Sequence, residues 1–231
     1  MQLSKRLKFI IDNIEENTTV LADIGTDHGY IPLYAIKNGL CSKAVAIDIN
    51  KEPLGKAKLN AILEGAGEEL DFRLGSGLNP LEKGEAEVVV IAGMGGNLIK
   101  DILEEDIDKV NELNYLLLLP AQNPEVLREY LYTNDYEIID ESLCEEEGIY
   151  YELFKVRKKS GESMALDSIY YEFSPRLLMK KEPLMKEYLI SKKKEYEKIL
   201  GFITESTINA KERRNSVIEK INIIDNMINH F

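Results

Sequence analysis

Two rhythms of apolar positions run along the first two thirds of the chain. Short, near-continuous apolar runs at residues 20–24, 44–49, 86–92 and 115–119 have the length and composition of buried strands, and a shorter, partly apolar run spans 70–74. Between them apolar residues recur at helical spacing. Leu3, Leu7, Ile10, Ile11 and Ile14 predict a helix over 3–16 with Ser4 as its N-cap, and Lys5, Arg6 and Lys8 fall on its polar side. Further helices are predicted over 30–38, stopped by Gly39, over 97–104, and over 123–131 with Pro124 in its first turn. Another is predicted over 51–63, with Leu54, Ala57, Ala61 and Ile62 as its apolar face and Gly65 and Gly67 at its end. Residues 136–144 and 148–157 read as strands, and the acidic link Glu145-Glu146-Glu147-Gly148 suits a hairpin between them. This β-α alternation predicts an α/β fold, a parallel sheet with helices on both faces and an antiparallel hairpin at its end.

The last third keeps a different rhythm. Met185, Leu189, Lys192, Tyr196, Ile199 and Ile203 follow 4-3 spacing, as do Val217, Ile221, Ile224, Ile228 and Phe231. Gly201 and the polar stretch 204–209 allow a reversal between the two segments, which predicts an antiparallel, coiled-coil-like helical hairpin with Lys192 an imperfect seam position. Pro175 and Pro183 break up the mixed stretch before it. The expected organisation is one domain over residues 1–158 and a helical domain over 159–231.

Charge sharpens this division. The chain has 231 residues and a net charge of −12, but the charge is unevenly spread. Residues 155–231 carry 16 Lys and Arg against 11 Asp and Glu, +5, whereas residues 1–154 carry 13 against 30, −17. A basic appendage on an acidic body points to a polyanionic partner for the tail. Other classes recede. No stretch approaches the apolar length of a membrane span, and residues 1–9 are basic and amphipathic without the apolar core of a secretion signal. Cys41 and Cys144 lie far apart and only two histidines are present, so a structural zinc site is not expected. The expected setting is the reducing cytoplasm.

The chemistry gathers after the first strand. The run Val20-Leu21-Ala22-Asp23-Ile24 leads into Gly25-Thr26-Asp27-His28-Gly29-Tyr30, a strand, a glycine-bearing loop and a helix start. Asp48 stands near the end of the second strand, where a doubly wound sheet holds the ribose hydroxyls of a nucleoside. A dinucleotide-binding fold would present Gly-x-Gly-x-x-Gly to a pyrophosphate, and a loop with Asp23 and Asp27 would repel one. Two carboxylates suit a ligand with a sulfonium and an ammonium group, and S-adenosylmethionine carries both. A terminal antiparallel hairpin on a parallel sheet is also a feature of class I (Rossmann-like) methyltransferases.

Several motifs together resemble the TrmK family, bacterial tRNA methyltransferases that modify N1 of adenine 22. They are Leu21-Ala22-Asp23-Ile24-Gly25-Thr26-Asp27-His28-Gly29-Tyr30-Ile31-Pro32, Gly75-Ser76-Gly77-Leu78 and Ile91-Ala92-Gly93-Met94-Gly95-Gly96. Ser4-Lys5-Arg6-Leu7 and Leu127-Arg128-Glu129-Tyr130-Leu131 are similar too, and the resemblance covers the whole chain, helical hairpin included. It departs where Leu119 and Ala121 replace the family's usual Gln and Asn, and at Ser76, where Asp is common; Gln122 and Asn123 are the nearest replacement amides.

The resemblance implies S-adenosylmethionine as cofactor, S-adenosylhomocysteine as product and tRNA as partner; composition points to no metal and no membrane, and a monomer is favoured while the oligomeric state stays open. Asp23 would anchor the cofactor's ammonium and Asp48 with Ile49 its ribose. Ser76, Gly77 and Leu78 would border its adenine, while Gly25, His28 and Gly29 complete its loop. Ala92, Gly93, Met94 and Gly95 would form the mouth for methyl transfer, Gly95 on the substrate side. Asp27 is the candidate catalytic group, beside the target adenine; Tyr30 would stack on that base, and Lys192, Lys193, Lys194, Arg213 and Arg214 would hold the RNA. Two other classes stay open on the residues alone. One is a methyltransferase for another RNA site or a small molecule; the other is a non-catalytic module that binds the cofactor or RNA.

Overall fold

A computed structural model describes residues 3–204 and 207–231. The chain forms two compact units, Met1–Glu172 and Phe173–Phe231. The first holds a seven-stranded sheet. Its elements run α1 (Lys5–Ile11), β1 (Thr18–Ile24), α2 (Tyr30–Lys37), β2 (Cys41–Asp48), α3 (Lys51–Leu63), β3 (Leu70–Leu74), β4 (Val88–Ala92), α4 (Gly96–Glu105), α5 (Ile107–Val110), β5 (Tyr115–Leu119), α6 (Pro124–Thr133), β6 (Tyr136–Glu146), β7 (Ile149–Lys158) and α7 (Ser168–Glu172). The strand order is β3-β2-β1-β4-β5-β7-β6; β1 to β5 are parallel, while β7 pairs antiparallel with β5 and with β6. The order reverses between β1 and β4, and there the carboxyl ends of the strands open a crevice for a ligand.

The near-continuous apolar runs are explained by burial on both faces. Ala22, Ile24, Val45, Ile47, Val89, Ile91, Leu116 and Leu118 point to one core, completed by Ile99, Ile102 and Leu103 of α4 and Leu127 and Leu131 of α6. Their alternating neighbours Leu21, Ala44, Ala46, Val88, Val90, Leu117 and Leu119 point to a second core with Ile10 and Ile11 of α1, Ile31, Leu33 and Ala35 of α2, and Ala61 of α3. A strand with a helix layer on each side has no polar face to show, so its period-2 signal vanishes.

The first helix is shorter than its apolar spacing predicts. The Ser4 hydroxyl accepts from Leu7 N as the N-cap, but the helix stops at Ile11, and Ile14 reaches the core from the segment that follows. On α3, Leu54, Ala57 and Ala61 are buried, whereas Ile62 points outward at 61% exposure. Between β3 and β4 the chain runs without a helix, and α5 is an unforeseen single turn. The β6–β7 hairpin is tighter than expected: Glu146 pairs with Ile149, leaving Glu147 and Gly148 as a two-residue turn, both at positive φ as a type I′ turn requires.

Residues 159–172 travel with the sheet. Arg128 of α6 is fully buried, and its Nη1 donates to Tyr171 O at 2.6 Å. The same guanidinium binds Glu141 Oε2 of β6 at 2.8 Å from Nη2, contacts Glu152 of β7, and lies over the Phe154 ring.

The second unit contains the short α8 (Pro175–Met179) and the long helices α9 (Met185–Phe202) and α10 (Ile208–Asn229). Lys193 Nζ meets Asp225 Oδ1 at 2.6 Å and Lys220 Nζ meets Tyr196 Oη at 3.1 Å, contacts that ascend one helix while descending the other, so the pair is antiparallel. Met185, Tyr188 and Leu189 of α9 and Val217 and Ile224 of α10 are buried. The predicted reversal over 204–209 falls partly on residues 205 and 206, outside the described residues. No helix among the described residues is long and apolar enough to cross a membrane.

Candidate active site

The carboxyl ends of β1, β2 and β4 lie side by side, and the loop after β1 is built on that edge. Gly25 N and Thr26 N both donate to Ile47 O of β2, at 2.8 and 3.0 Å, so the chain turns back over its neighbour instead of continuing the strand. Gly25 takes φ +71, a left-handed conformation that favours glycine, and the Met94 methyl packs 2.5 Å from where a Cβ would stand. Gly29, also at φ +71, caps α2 and would meet Ala57 Cβ at 2.8 Å. Asn60 of α3 donates through Nδ2 to His28 O at 3.0 Å and pins the loop from its far side.

This loop walls a cleft of about 390 Å³. Asp23 lies at its base, with Gly25, Thr26, Asp27, His28 and Tyr30 along one wall and Ala92 and Gly93 of the β4 end facing them. Arg6, Leu7 and Ile10 of α1 and Ala121 after β5 complete it. Asp23 is buried, and its Oδ2 accepts from the Thr26 hydroxyl at 2.6 Å. Burial pushes the Asp23 carboxyl up to about 7, against the Thr26 hydrogen bond and with help from the charge of Asp48. A poorly hydrated carboxyl held on one oxygen is suited to a cationic partner. Asp27 differs in every respect. Its side chain is 73% exposed, its backbone has φ +46, and its Oδ1 lies 3.7 Å from His28 Nε2. The His28 and Tyr30 rings stack at 5.3 Å and 14°, a flat aromatic platform beside the carboxylate.

The remaining positions expected for a cofactor fall outside this cleft, along the β2–β3 end of the sheet edge. Asp48 is buried at the tip of β2, with Oδ1 accepting from Asn50 N at 2.8 Å, and Ile49 beside it is 65% exposed. Gly75 N donates to Asp48 O at 3.0 Å, which brings the Ser76-Gly77-Leu78 turn next to Asp48. Ser76 is exposed; Leu78 is fully buried in the core, so only its backbone can border a ligand. Gly95 forms a parallel bridge with Gln122, and a Cβ on Gly96 would meet Asn123 O at 2.2 Å. The glycine pair therefore lets the β4 and β5 loops touch. Gln122 and Asn123 are used in that contact and do not line the cleft. The amide expected at 121 is absent from the cleft wall, where Ala121 offers a methyl group.

Five expected RNA contacts lie on the other compact unit. Lys192 pairs with Glu195 at 3.1 Å, and Lys193 uses its charge to join α9 to α10 through Asp225. Lys194 and Arg213 are exposed and Arg214 is half-buried. Sequence reasoning missed Thr26, Leu7, Ile10 and Arg6 as cleft residues. Thr26 had a signal, a hydroxyl three residues after Asp23 in a turn; Arg6 had one in the Ser4-Lys5-Arg6-Leu7 motif, although its spacing puts it on the polar side of its helix.

Residues 21–226 match the family model described as TrmK, tRNA (adenine(22)-N(1))-methyltransferase. The tRNA (adenine(22)-N(1))-methyltransferase of Bacillus subtilis (strain 168) is 40% identical over 169 residues, 73% of this chain and 70% of that protein. Streptococcus pneumoniae Sp1610, solved in complex with S-adenosyl-L-methionine, superimposes with a TM-score of 0.86 at 29% identity, covering 98% of this chain and 100% of that one. TrmK of M. capricolum, solved with the cofactor product S-adenosyl-homocysteine, gives a TM-score of 0.81 at 29% identity over 99% and 100% of the two chains.

Proposed function

The chain belongs to the TrmK family of tRNA (adenine(22)-N(1))-methyltransferases, and from that premise we propose how its own residues carry out the reaction. It is an S-adenosylmethionine-dependent tRNA (adenine-N1) methyltransferase, and S-adenosylhomocysteine is its product. The observation that carries the residue assignment is the cleft in which buried Asp23 and exposed Asp27 face Ala92 and Gly93.

The residues present fit the cofactor. Asp23 supplies a desolvated carboxylate for the ammonium, Asp48 a carboxylate for the ribose hydroxyls, and Gly25 a backbone without a Cβ where the ligand passes. S-adenosylmethionine supplies a methyl group activated by its sulfonium. Adenine N1 attacks with an in-plane lone pair and needs no prior deprotonation, so the protein's tasks are alignment and exclusion of water. The base becomes cationic as the bond forms. Asp27, at the cleft wall, stabilises that charge, and the His28–Tyr30 platform holds the extruded base by stacking. The first compact unit carries this chemistry, while Lys194, Arg213 and Arg214 of the second contact phosphates. The chain works as a cytoplasmic monomer without a metal. Nucleophilic N1 calls for no Lewis acid.

The direct test is to incubate the protein with labelled S-adenosylmethionine and unmodified tRNA and to identify the product nucleoside and its position. N1-methyladenosine at position 22 is expected; label at another nucleotide would overturn the substrate reading.

Two further outcomes follow. Asp23 must be ionised to hold an ammonium, yet in the free protein its carboxyl titrates at about 7. Below that pH, binding must first remove a proton, so affinity for S-adenosylhomocysteine should fall about tenfold per pH unit. The sign for the fold is opposite: with the folded value raised, Asp23 contributes stability to the free protein that is fully present below about 3.8 and lost as pH rises through about 7. Calorimetry in two buffers of different ionisation enthalpy should show proton release on binding, and pH-independent affinity between about 5.5 and about 7 would sink the assignment. For the RNA contacts, the combined change Lys194→Gln, Arg213→Gln and Arg214→Gln should weaken tRNA binding and make its salt slope shallower by about one for each phosphate-binding cation removed. Unchanged affinity and slope in a salt series would make the hairpin a structural element.

A further inference from the structure

We propose that Arg6 grips a phosphate flanking the target adenine and so fixes the nucleotide in the methyl-transfer cleft. The inference rests on the reading of that cleft as the place of methyl transfer.

Among the described Lys and Arg residues, Arg6 alone lines the cleft, whose wall otherwise carries the acids Asp23 and Asp27. Its place is built. The backbone N of Arg6 donates to Glu146 Oε1 at 3.0 Å and Lys5 Nζ pairs with Glu145 Oε2 at 3.2 Å, tying the start of α1 to the end of β6. The guanidinium carbon lies 4.9 Å from the centre of the Tyr151 ring on β7, which supports the group on one face. The Glu146 carboxylate lies close enough to feel its charge, and among the described residues no hydrogen bond is formed by its five side-chain N–H donors. A planar fork on a residue that lines a cleft is suited to take a phosphate through two parallel hydrogen bonds.

Charge selects the partner. The body that contains the cleft is strongly acidic, and a polyanion approaching it needs a local cation. Arg6 is flanked on the same helix by Lys5, whose side chain is 62% exposed, and by exposed Lys8. With Lys5 held by Glu145, Arg6 and Lys8 give this end of α1 positive charge for a nucleic-acid backbone. A cleft of about 390 Å³ has room for one base, so the attached phosphates remain at its mouth. Phosphate contacts of this kind set register without reading sequence.

The test uses the full chain with Arg6→Gln and Arg6→Lys, unmodified tRNA, and a synthetic tRNA with a neutral methylphosphonate beside adenine 22, on its 5′ side or its 3′ side. Arg6→Gln should raise KM for tRNA about tenfold or more, leave S-adenosylhomocysteine affinity within about twofold, and make the salt slope of kcat/KM shallower by about one. Arg6→Lys should restore part of the loss, since it keeps the charge but not the fork. One of the two methylphosphonates should impair the unsubstituted protein and cost Arg6→Gln nothing further. A loss of cofactor affinity in step with the rise in KM would overturn the proposal by making Arg6 a ligand of the cofactor's carboxylate. Additive losses with both methylphosphonates would overturn it too. If the unsubstituted chain itself fails to methylate adenine 22, the underlying reading falls.

Discussion

Asp27→Ala is expected to keep the cofactor and lose the methyl transfer. The carboxylate is exposed on the cleft wall, whereas Asp23, which we assign to the cofactor, is buried at its base. The two acids therefore separate by location. Losing one group that stabilises charge appearing only in the transition state commonly costs about 100–1000-fold in rate. Alanine at φ +46 would add backbone strain of about 1 kcal/mol, so Asp27→Asn is the cleaner companion. It tolerates the left-handed conformation and keeps an accepting oxygen while removing the charge. Single-turnover methylation of tRNA, with calorimetry for S-adenosylhomocysteine, checks both variants. If affinity for the product cofactor falls as far as the rate, Asp27 is a cofactor ligand and the charge-stabilising role is wrong.

Arg128→Met should be the most damaging single change to the fold. Arg128, Glu141 and Glu152 are all buried, and the guanidinium is the shared partner of both carboxylates. Burial works against the charge on Arg128, but the two glutamates outweigh it and hold the group firmly protonated. Removing the cation leaves two carboxylates together in the interior, and breaking such a group costs about 3–5 kcal/mol. The carbonyl of Tyr171 loses its donor at the same time. Chemical denaturation followed by circular dichroism measures the loss. The triple variant Arg128→Met, Glu141→Gln, Glu152→Gln should recover much of it, because it removes the uncompensated charge. A loss below about 1 kcal/mol for the single change would show that the carboxylates are hydrated and the cluster is not a stabilising centre.

The sequence itself determined the layered architecture and pointed to the loop that walls the cleft. Runs such as residues 115–119 and 88–92 have no polar face, which can only mean burial on both sides, and the glycine-bearing turns after them gather at one sheet edge. The nature of the stretch 23–29 was legible too: two acids and two glycines disfavour a pyrophosphate and suit a cation. These are local properties, set by side-chain chemistry and by the conformations glycine permits.

What only the tertiary structure decided are matters of juxtaposition. Asp23 and Asp27 are four residues apart and chemically identical in sequence; burial makes one a perturbed carboxyl bound to Thr26 and leaves the other open at the wall. Arg6 reads as one of three solvated cations until α1 is laid against β6 and places it in a cleft more than a hundred residues from the Tyr151 that supports it. Arg128 reads as a surface residue of an amphipathic helix until β6 and β7 bring Glu141 and Glu152 to it. Lys193 reads as an RNA contact until α10 presents Asp225. In each case the deciding quantity is a desolvation or a charge pairing, and both depend on what the fold brings within a few ångströms, which no local pattern encodes.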